Sequence, residues 1–170
     1  MSTGPAIGIY LDTDVYVIRP LDVFLKYEMT LDFEIYRDPP AVSNMIQITY
    51  RNARFLRHWI DGYRQYKPNV WFYNGGELPN MFISKTPQII HRLKGEFCPE
   101  SHQICHKLFT TYDESWRTDY YALHTFLRNN HFYHIWCVDN IDIQIYTFDE
   151  IIVSKMSTTF ADMCRFVNFP

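Results

Sequence analysis

The amino-acid sequence predicts an α/β fold in which a mixed β-sheet is flanked by helices, within a single domain over residues 1–170. Short apolar runs with strand-like alternation recur along the chain, and amphipathic segments with helical periodicity stand between them. Hydrophobic residues make up 47% of the chain, which is enough to bury a core. These three observations favour mixed strands and helices over an all-helical or disordered chain.

The first elements are strands by their alternation of side chains. Apolar residues alternate over 7–11, and the extended pattern resumes over 15–17 and closes at Pro20. The next predicted elements are a short helix over Leu21–Tyr27, a strand over Thr30–Tyr36, a loop with two prolines over 37–44 and a strand over Met45–Tyr50.

The clearest predicted helix follows Asn52. Leu56, Trp59, Ile60 and Tyr63 stand at i, i+3, i+4 and i+7 and form one apolar stripe. The remaining predictions are a loop over Trp71–Pro79, a helix over 80–85, a strand over Gln88–His91, an irregular stretch over 95–117, a helix or strand over 119–128, a strand over Ile141–Tyr146 and a C-terminal amphipathic helix (Phe160, Met163, Cys164, Val167) capped by Ser157.

Composition and charge exclude several classes of function. The net charge of −3 and the isoelectric point near 6.1 do not suit a protein that binds nucleic acid through its phosphates. No signal peptide is visible, and no apolar run approaches the roughly 20 residues of a membrane helix. We therefore expect membrane association only through an anchor outside this sequence. The 13 tyrosines and 4 tryptophans suit stacking on carbohydrate rings, and core filling is the alternative.

Two aspartates directly follow the first apolar strand. In an extended segment, side chains alternate, so Asp12 and Asp14 are predicted to project to one side and Thr13 to the other. Two converging carboxylates suit a hard cation such as Mn²⁺ or Mg²⁺, and such an ion can bridge the diphosphate of a nucleotide sugar. The alternative is a solvated pair of turn aspartates.

Five segments, in order, resemble one family of enzymes. GIYLDTDVYVIRPLD, over 8–22, looks like the core signature of glycosyltransferases with a sugar-binding region containing the DXD motif, the group of alpha-1,4-galactosyltransferase and alpha-1,4-N-acetylglucosaminyltransferase. The further matching segments are SNMIQITYRNARFLRHWIDGY over 43–63, YKPNVWFYNGGELP over 66–79, SWRTDYYALHTFLR over 115–128 and TTFADMCRF over 158–166.

This resemblance implies roles for particular residues. Asp12 and Asp14 would bind Mn²⁺ and, through it, the donor diphosphate, with His124 as a further ligand. The alternative for His124 is a core or rim histidine bonded to backbone. Residues implied near the sugar are Asn44, Asn74, Gly75, Gly76, Glu77 and Glu34, with turn formation as the alternative for the asparagines and glycines.

The same resemblance implies an activity and a location. The family uses a GT-A-type fold in the Golgi to transfer a hexose or N-acetylhexosamine from a UDP-sugar to a glycan or glycolipid, with retention of configuration. No catalytic nucleophile is assigned. The resemblance also implies a nucleotide-binding half before the DXD segment, and we expect most of that half to be lacking in this chain. A non-catalytic remnant that binds metal or a partner is therefore the alternative function.

Two further groups of residues have open interpretations. Cys98, His102, Cys105 and His106 allow either a zinc site or a loop disulfide between the two cysteines. Basic residues cluster around the predicted helix after Asn52, where a solvated face and phosphate contact are the alternatives: Arg51, Arg54, Arg57, Arg64 and Lys67.

Overall fold

The computed structural model describes residues 6–34, 38, 40–97, 107–125 and 150–168. The predicted strand over Ile141–Tyr146 and the Cys98–His106 group lie outside these residues. The described residues form two compact units. The first contains the residues up to Phe97 together with Tyr120–His124, and the second contains 107–119, Thr125 and 150–168. One domain over 1–170 stays a prediction.

The first unit is built on a mixed four-stranded sheet, which confirms the predicted α/β class. The strand order is β1-β4-β3-β5, with β4 antiparallel to both of its neighbours and β3 parallel to β5. A separate antiparallel pair joins β2 to β6. The strands are β1 (Ile7–Leu11), β2 (Val15–Val17), β3 (Met29–Glu34), β4 (Ala41–Tyr50), β5 (His91–Arg92) and β6 (Ala122–His124).

The long central strand β4 corrects one predicted boundary. The loop was predicted to extend to residue 44, but β4 begins at Ala41. Its first residues pair with the end of β3, where Phe33 lies opposite Val42 and Glu34 opposite Ala41. Cross-strand pairing of β4 therefore starts directly after Pro40.

The helices of the first unit are α1 (Arg54–Gly62) and α2 (Leu78–Lys85). The predicted apolar stripe on α1 is rotated from the face that the structure buries. Phe55 and Trp59 are buried, whereas Ile60 is 60% exposed and Tyr63 46% exposed. Phe55 and Trp59 belong to the same core cluster as Leu31 of β3, so this aromatic face of α1 is the one that faces the core.

Three local predictions change where prolines or short turns intervene. The predicted helix after Pro20 is a single 3₁₀ turn over Leu21–Phe24. The loop predicted at 71–79 contains a π-helical turn, Tyr73–Glu77, which leads directly into α2. The strand predicted from Gln88 is shortened to β5, because a 3₁₀ turn occupies Pro87–Ile89.

The second unit is helical over its described residues. It comprises a helical stretch at 107–110, then α3 (Trp116–Asp119), α4 (Glu150–Lys155) and α5 (Thr159–Asn168). Phe160 and Met163 are buried, as the C-terminal amphipathic helix predicts. Thr158, rather than Ser157, caps α5, because its hydroxyl accepts the Ala161 N–H at 3.3 Å. Arg117 pairs with Asp162 at 2.7 Å and ties α3 to α5.

Candidate metal centre

The candidate centre lies in the first unit, where the chain passes from β1 to β2. The Asp12 N–H donates to the carbonyl of Met45 at 2.9 Å, and the Asp12 carbonyl accepts the Val15 N–H at 3.2 Å. The second bond closes a turn over 12–15. The prediction that both aspartates lie in continuous extended chain is therefore wrong. Because β1 pairs with β4 and β2 pairs with β6, the chain must turn between the two sheets.

The pairing of β2 with β6 brings His124 to this turn. His124 lies opposite Val15 in the ladder, so its ring is next to Asp14. The Nε2 atom of His124 lies 2.9 Å from Oδ1 of Asp14 and 3.8 Å from Oδ2 of Asp12. The turn and the ladder together place three residues around one point, even though His124 is 110 positions from Asp14.

The geometry of these three side chains fits a small divalent cation. Their ligand atoms all lie within 4.8 Å of one another. Around a six-coordinate ion with bonds of about 2.1 Å, adjacent ligand atoms are roughly 3 Å apart and opposite ones roughly 4 Å. The side chains of His124, Asp14 and Asp12 are 10%, 16% and 29% exposed, so the site is partly covered while Asp12 still meets solvent.

Tyr10 was not predicted as part of this site. Its hydroxyl donates to Oδ1 of Asp12 at 2.6 Å. This hydrogen bond, followed by partial burial and the charges of Asp12 and Asp14, raises the pKa of the Tyr10 phenol. The spacing of Tyr10 and Asp12, two residues apart at the end of a strand, is the sequence signal that would have found it.

Asn44 and Gly75, both predicted near the sugar, are brought together by the fold. A Cβ atom placed on Gly75 would lie only 2.8 Å from Nδ2 of Asn44, so a larger residue at 75 would displace that side chain. Asn44 directly precedes Met45, which binds the backbone of Asp12. Asn44 therefore belongs to strand β4, which is hydrogen-bonded to the backbone of Asp12.

Asn74 and Gly76 are engaged within their own loop. The Asn74 side-chain carbonyl accepts the Lys67 N–H at 3.0 Å, and its amide donates to the Lys67 carbonyl at 2.9 Å. A Cβ atom on Gly76 would lie 2.1 Å from the ring of Phe72, whose own φ is 68°. These contacts match the alternative that Asn74 and Gly76 shape the loop.

The two predicted glutamates are not among the three grouped metal-ligand candidates. Glu34 is buried at the end of β3, and Glu77 is exposed where the π-helical turn meets α2. Among the described residues, neither belongs to the group of three ligand atoms formed by Asp12, Asp14 and His124. Their roles toward a sugar stay predictions.

A second carboxylate environment occurs in the same unit, at Asp32 of β3. Asp32 is 1% exposed and accepts the backbone N–H groups of Phe33, Gly95 and Phe97 at 2.6–2.7 Å. Burial raises the pKa of Asp32 to about 6, and the three N–H donors oppose that rise. Its hydrogen bonds hold residues 95–97 against the sheet.

The basic cluster is partly explained by a surface ion pair. Arg54 pairs with Glu28 through three side-chain nitrogen–oxygen contacts of 2.7, 3.0 and 3.2 Å, and the Arg54 side chain is 65% exposed. This pair lowers the pKa of the Glu28 carboxyl. Arg51, Arg57 and Arg64 are also exposed, which fits the solvated-face interpretation.

Comparison with known proteins gives a partial match. The chain is 35% identical over 71 residues to Glucan organizing enzyme 1 of Cryptococcus neoformans var. grubii. The match covers 38% of this chain and 19% of that protein, so the chain spans about a fifth of the relative's length. No family model matches the chain, and no solved structure gives a significant match.

Among the described residues, every helix is too short or too polar to cross a bilayer.

Proposed function

We propose that this chain is the metal- and sugar-binding part of a glycosyltransferase of the DXD type. It would transfer a hexose or N-acetylhexosamine from a UDP-sugar to a glycan or glycolipid, with retention of configuration and with Mn²⁺ or Mg²⁺ as cofactor. The convergence of Asp12, Asp14 and His124 on one point carries the proposal. The ordered resemblance of five segments and the partial match to a protein whose name refers to glucan support it.

The donor set favours Mn²⁺ over Mg²⁺. Carboxylate oxygens suit both ions, but an imidazole nitrogen is a better ligand for the softer of the two. The bound ion would supply positive charge to the leaving diphosphate of the donor. Nε2 of His124 and Oδ1 of Asp14 lie 2.9 Å apart and share a hydrogen bond. Ion binding therefore requires His124 to present a deprotonated Nε2.

Strand β4 holds the backbone of Asp12. The Asp12 backbone is fixed to β4 through Met45, and the neighbouring Asn44 side chain packs against Gly75. An amide at this position can both donate to and accept from a sugar hydroxyl. We therefore propose that Asn44 would contact a hydroxyl of the donor sugar, while Asp12, Asp14 and His124 would hold the ion that binds the diphosphate.

The proposal is tested by equilibrium dialysis of labelled UDP-sugars (glucose, galactose and their N-acetylamino forms) with and without Mn²⁺. We expect Mn²⁺-dependent retention of one donor by the chain, and its loss in the Asp12→Asn/Asp14→Asn variant. Release of sugar or transfer to an added glycan shows an enzyme. Mn²⁺-dependent binding without release of sugar supports the non-catalytic alternative. Donor binding that is equal with and without Mn²⁺ contradicts both the enzyme and the non-catalytic metal-binding alternative.

A Golgi location is part of the proposal, because the resembling family works there. It is checked by imaging the tagged full-length protein in its native cells. Co-localisation with a Golgi marker is the expected result.

A further inference from the structure

Tyr10 divides the two oxygens of the Asp12 carboxylate between different partners. Oδ1 accepts the Tyr10 hydroxyl at 2.6 Å, and Oδ2 is the oxygen that faces His124, at 3.8 Å from Nε2. A short hydrogen bond to a carboxylate is among the stronger kinds in proteins. Oδ1 is therefore engaged, and Oδ2 is the oxygen that points toward the centre of the three-residue cluster.

The backbone on both sides of this hydrogen bond is fixed by β4. Tyr10 lies opposite Gln47 in the β1–β4 ladder, and the Asp12 N–H donates to Met45. The hydroxyl and the carboxylate are thus held by consecutive contacts with the same strand. This rigidity maintains the orientation of Asp12 without the help of an ion, and it suits a residue that prepares a binding site.

We propose that Tyr10 is a positioning residue that limits Asp12 to a single ligand oxygen and thereby makes the site selective for small six-coordinate ions over Ca²⁺. This inference rests on the proposed metal site, but not on sugar transfer.

The selectivity follows from the different needs of the ions. Ca²⁺ takes six to eight oxygens at about 2.3–2.6 Å and often binds both oxygens of one carboxylate. Mg²⁺ demands six ligands in near-ideal octahedral geometry at about 2.1 Å, and Mn²⁺ accepts the same arrangement. One oxygen from Asp12 is enough for an ion with six ligands, such as Mg²⁺ or Mn²⁺. A Ca²⁺ ion would either displace the Tyr10 hydroxyl from Oδ1 or bind with one oxygen ligand fewer.

The phenolic hydroxyl can be removed with little risk to the fold. Tyr10 is 53% exposed on strand β1, so the Tyr10→Phe variant keeps the ring and loses only the oxygen. Tyr66 is 55% exposed and lies after α1, outside the metal cluster. The Tyr66→Phe variant is therefore a matched control for loss of an exposed tyrosine hydroxyl.

The experiment measures the dissociation constants of Mn²⁺ and Ca²⁺ by calorimetry for the wild-type chain and both variants. Loss of an outer hydrogen-bond partner of a metal ligand weakens binding roughly 10- to 100-fold. For Tyr10→Phe we expect Mn²⁺ to bind about 10-fold more weakly, while Ca²⁺ binds as well as before or better. The ratio of the Ca²⁺ to the Mn²⁺ dissociation constant then falls at least about 10-fold, and Tyr66→Phe leaves it unchanged.

The ratio distinguishes this inference from a structural role for Tyr10. Partial unfolding lowers the fraction of active protein equally for both ions and leaves the ratio of the constants unaffected. An unchanged ratio in Tyr10→Phe, with ions still bound, overturns the role of Tyr10 and leaves the metal site intact. If the wild-type chain binds neither ion, the proposed metal site itself is refuted.

Discussion

Asp32 and the Asp12–Asp14 pair carry the same chemical group in the same compact unit, but they have different partners. Asp32 is 1% exposed and its two oxygens receive three backbone N–H groups. Asp12 and Asp14 are 29% and 16% exposed, and their oxygens meet the side chains of Tyr10 and His124. Because its partners are backbone N–H groups, Asp32 stabilises the fold by holding residues 95–97 against the sheet. Side-chain partners leave Oδ2 of Asp12 facing His124, within the group of three side chains that could hold a metal ion.

The largest expected effect is on metal binding. Replacing both Asp12 and Asp14 with Asn removes two anionic ligands while keeping the side-chain shapes. We expect Mn²⁺ affinity to fall by more than the roughly 100-fold that loss of an outer hydrogen-bond partner can cause. Calorimetric titration measures the change.

Asp32→Asn is the matched control for that double variant, because it makes the same chemical change at the backbone-bonded carboxylate. It should bind Mn²⁺ as the wild type does. If Asp32→Asn removes Mn²⁺ binding and the Asp12/Asp14 variant keeps it, the assignment of the two environments is reversed.

The next effect is on the pH dependence of stability. The pKa of Asp32 is about 6 in the folded chain, against an ordinary value of 3.8. The folded state therefore binds more protons between these values, so the contribution of Asp32 to the free energy of unfolding is fully present below about pH 4 and is lost as the pH rises through about 6. A pKa difference of one unit corresponds to about 1.4 kcal/mol of free energy. The difference between the folded and ordinary pKa of Asp32 therefore lowers the free energy of unfolding by about 3 kcal/mol in total.

This contribution is isolated by urea unfolding of the wild type and of Asp32→Asn at several pH values between 4 and 7. Other carboxyls, such as Glu28 with its lowered pKa, cancel in the difference between the two proteins. The difference should change by roughly 2.5 kcal/mol across that range. Asp22→Asn, at an exposed aspartate, should track the wild type. A constant difference for Asp32→Asn would show that its burial does not control its protonation.

The smallest effect concerns a neutral side chain that, like Asp32, is bonded to backbone. Asn74→Ala removes both hydrogen bonds to Lys67 at the base of the 67–74 loop. We expect a loss of about 1–2 kcal/mol in the free energy of unfolding, with Mn²⁺ affinity unchanged. Asn69→Ala, an exposed residue of the same loop, should change neither quantity. Weakened UDP-sugar binding with unaltered stability would instead favour the sugar-contact prediction for Asn74.

Much of the local organisation was predictable, because it depends on residues close together in the chain. Period-two apolar alternation predicted β1 and the end of β4, and 3.6-residue periodicity predicted α1 and α5. The spacing of Asp12 and Asp14 predicted convergence through an extended chain, whereas the structure brings the two residues together in the turn over 12–15. Tyr10 obeys the same spacing rule and was missed, because an exposed tyrosine ordinarily needs no functional explanation.

Tertiary structure decided what depends on distant segments. His124 reaches Asp14 across 110 positions through the β2–β6 ladder, and Asp32 meets Gly95 and Phe97 across 63 and 65 positions. The pairing of β1 and β2 with different sheets also forces the turn at 12–15. By itself the sequence determined the α/β class and the acidic pair, since both follow from local spacing. Which side chains face the acidic pair, and which aspartate is buried, depend on strand pairings that no short window of sequence contains.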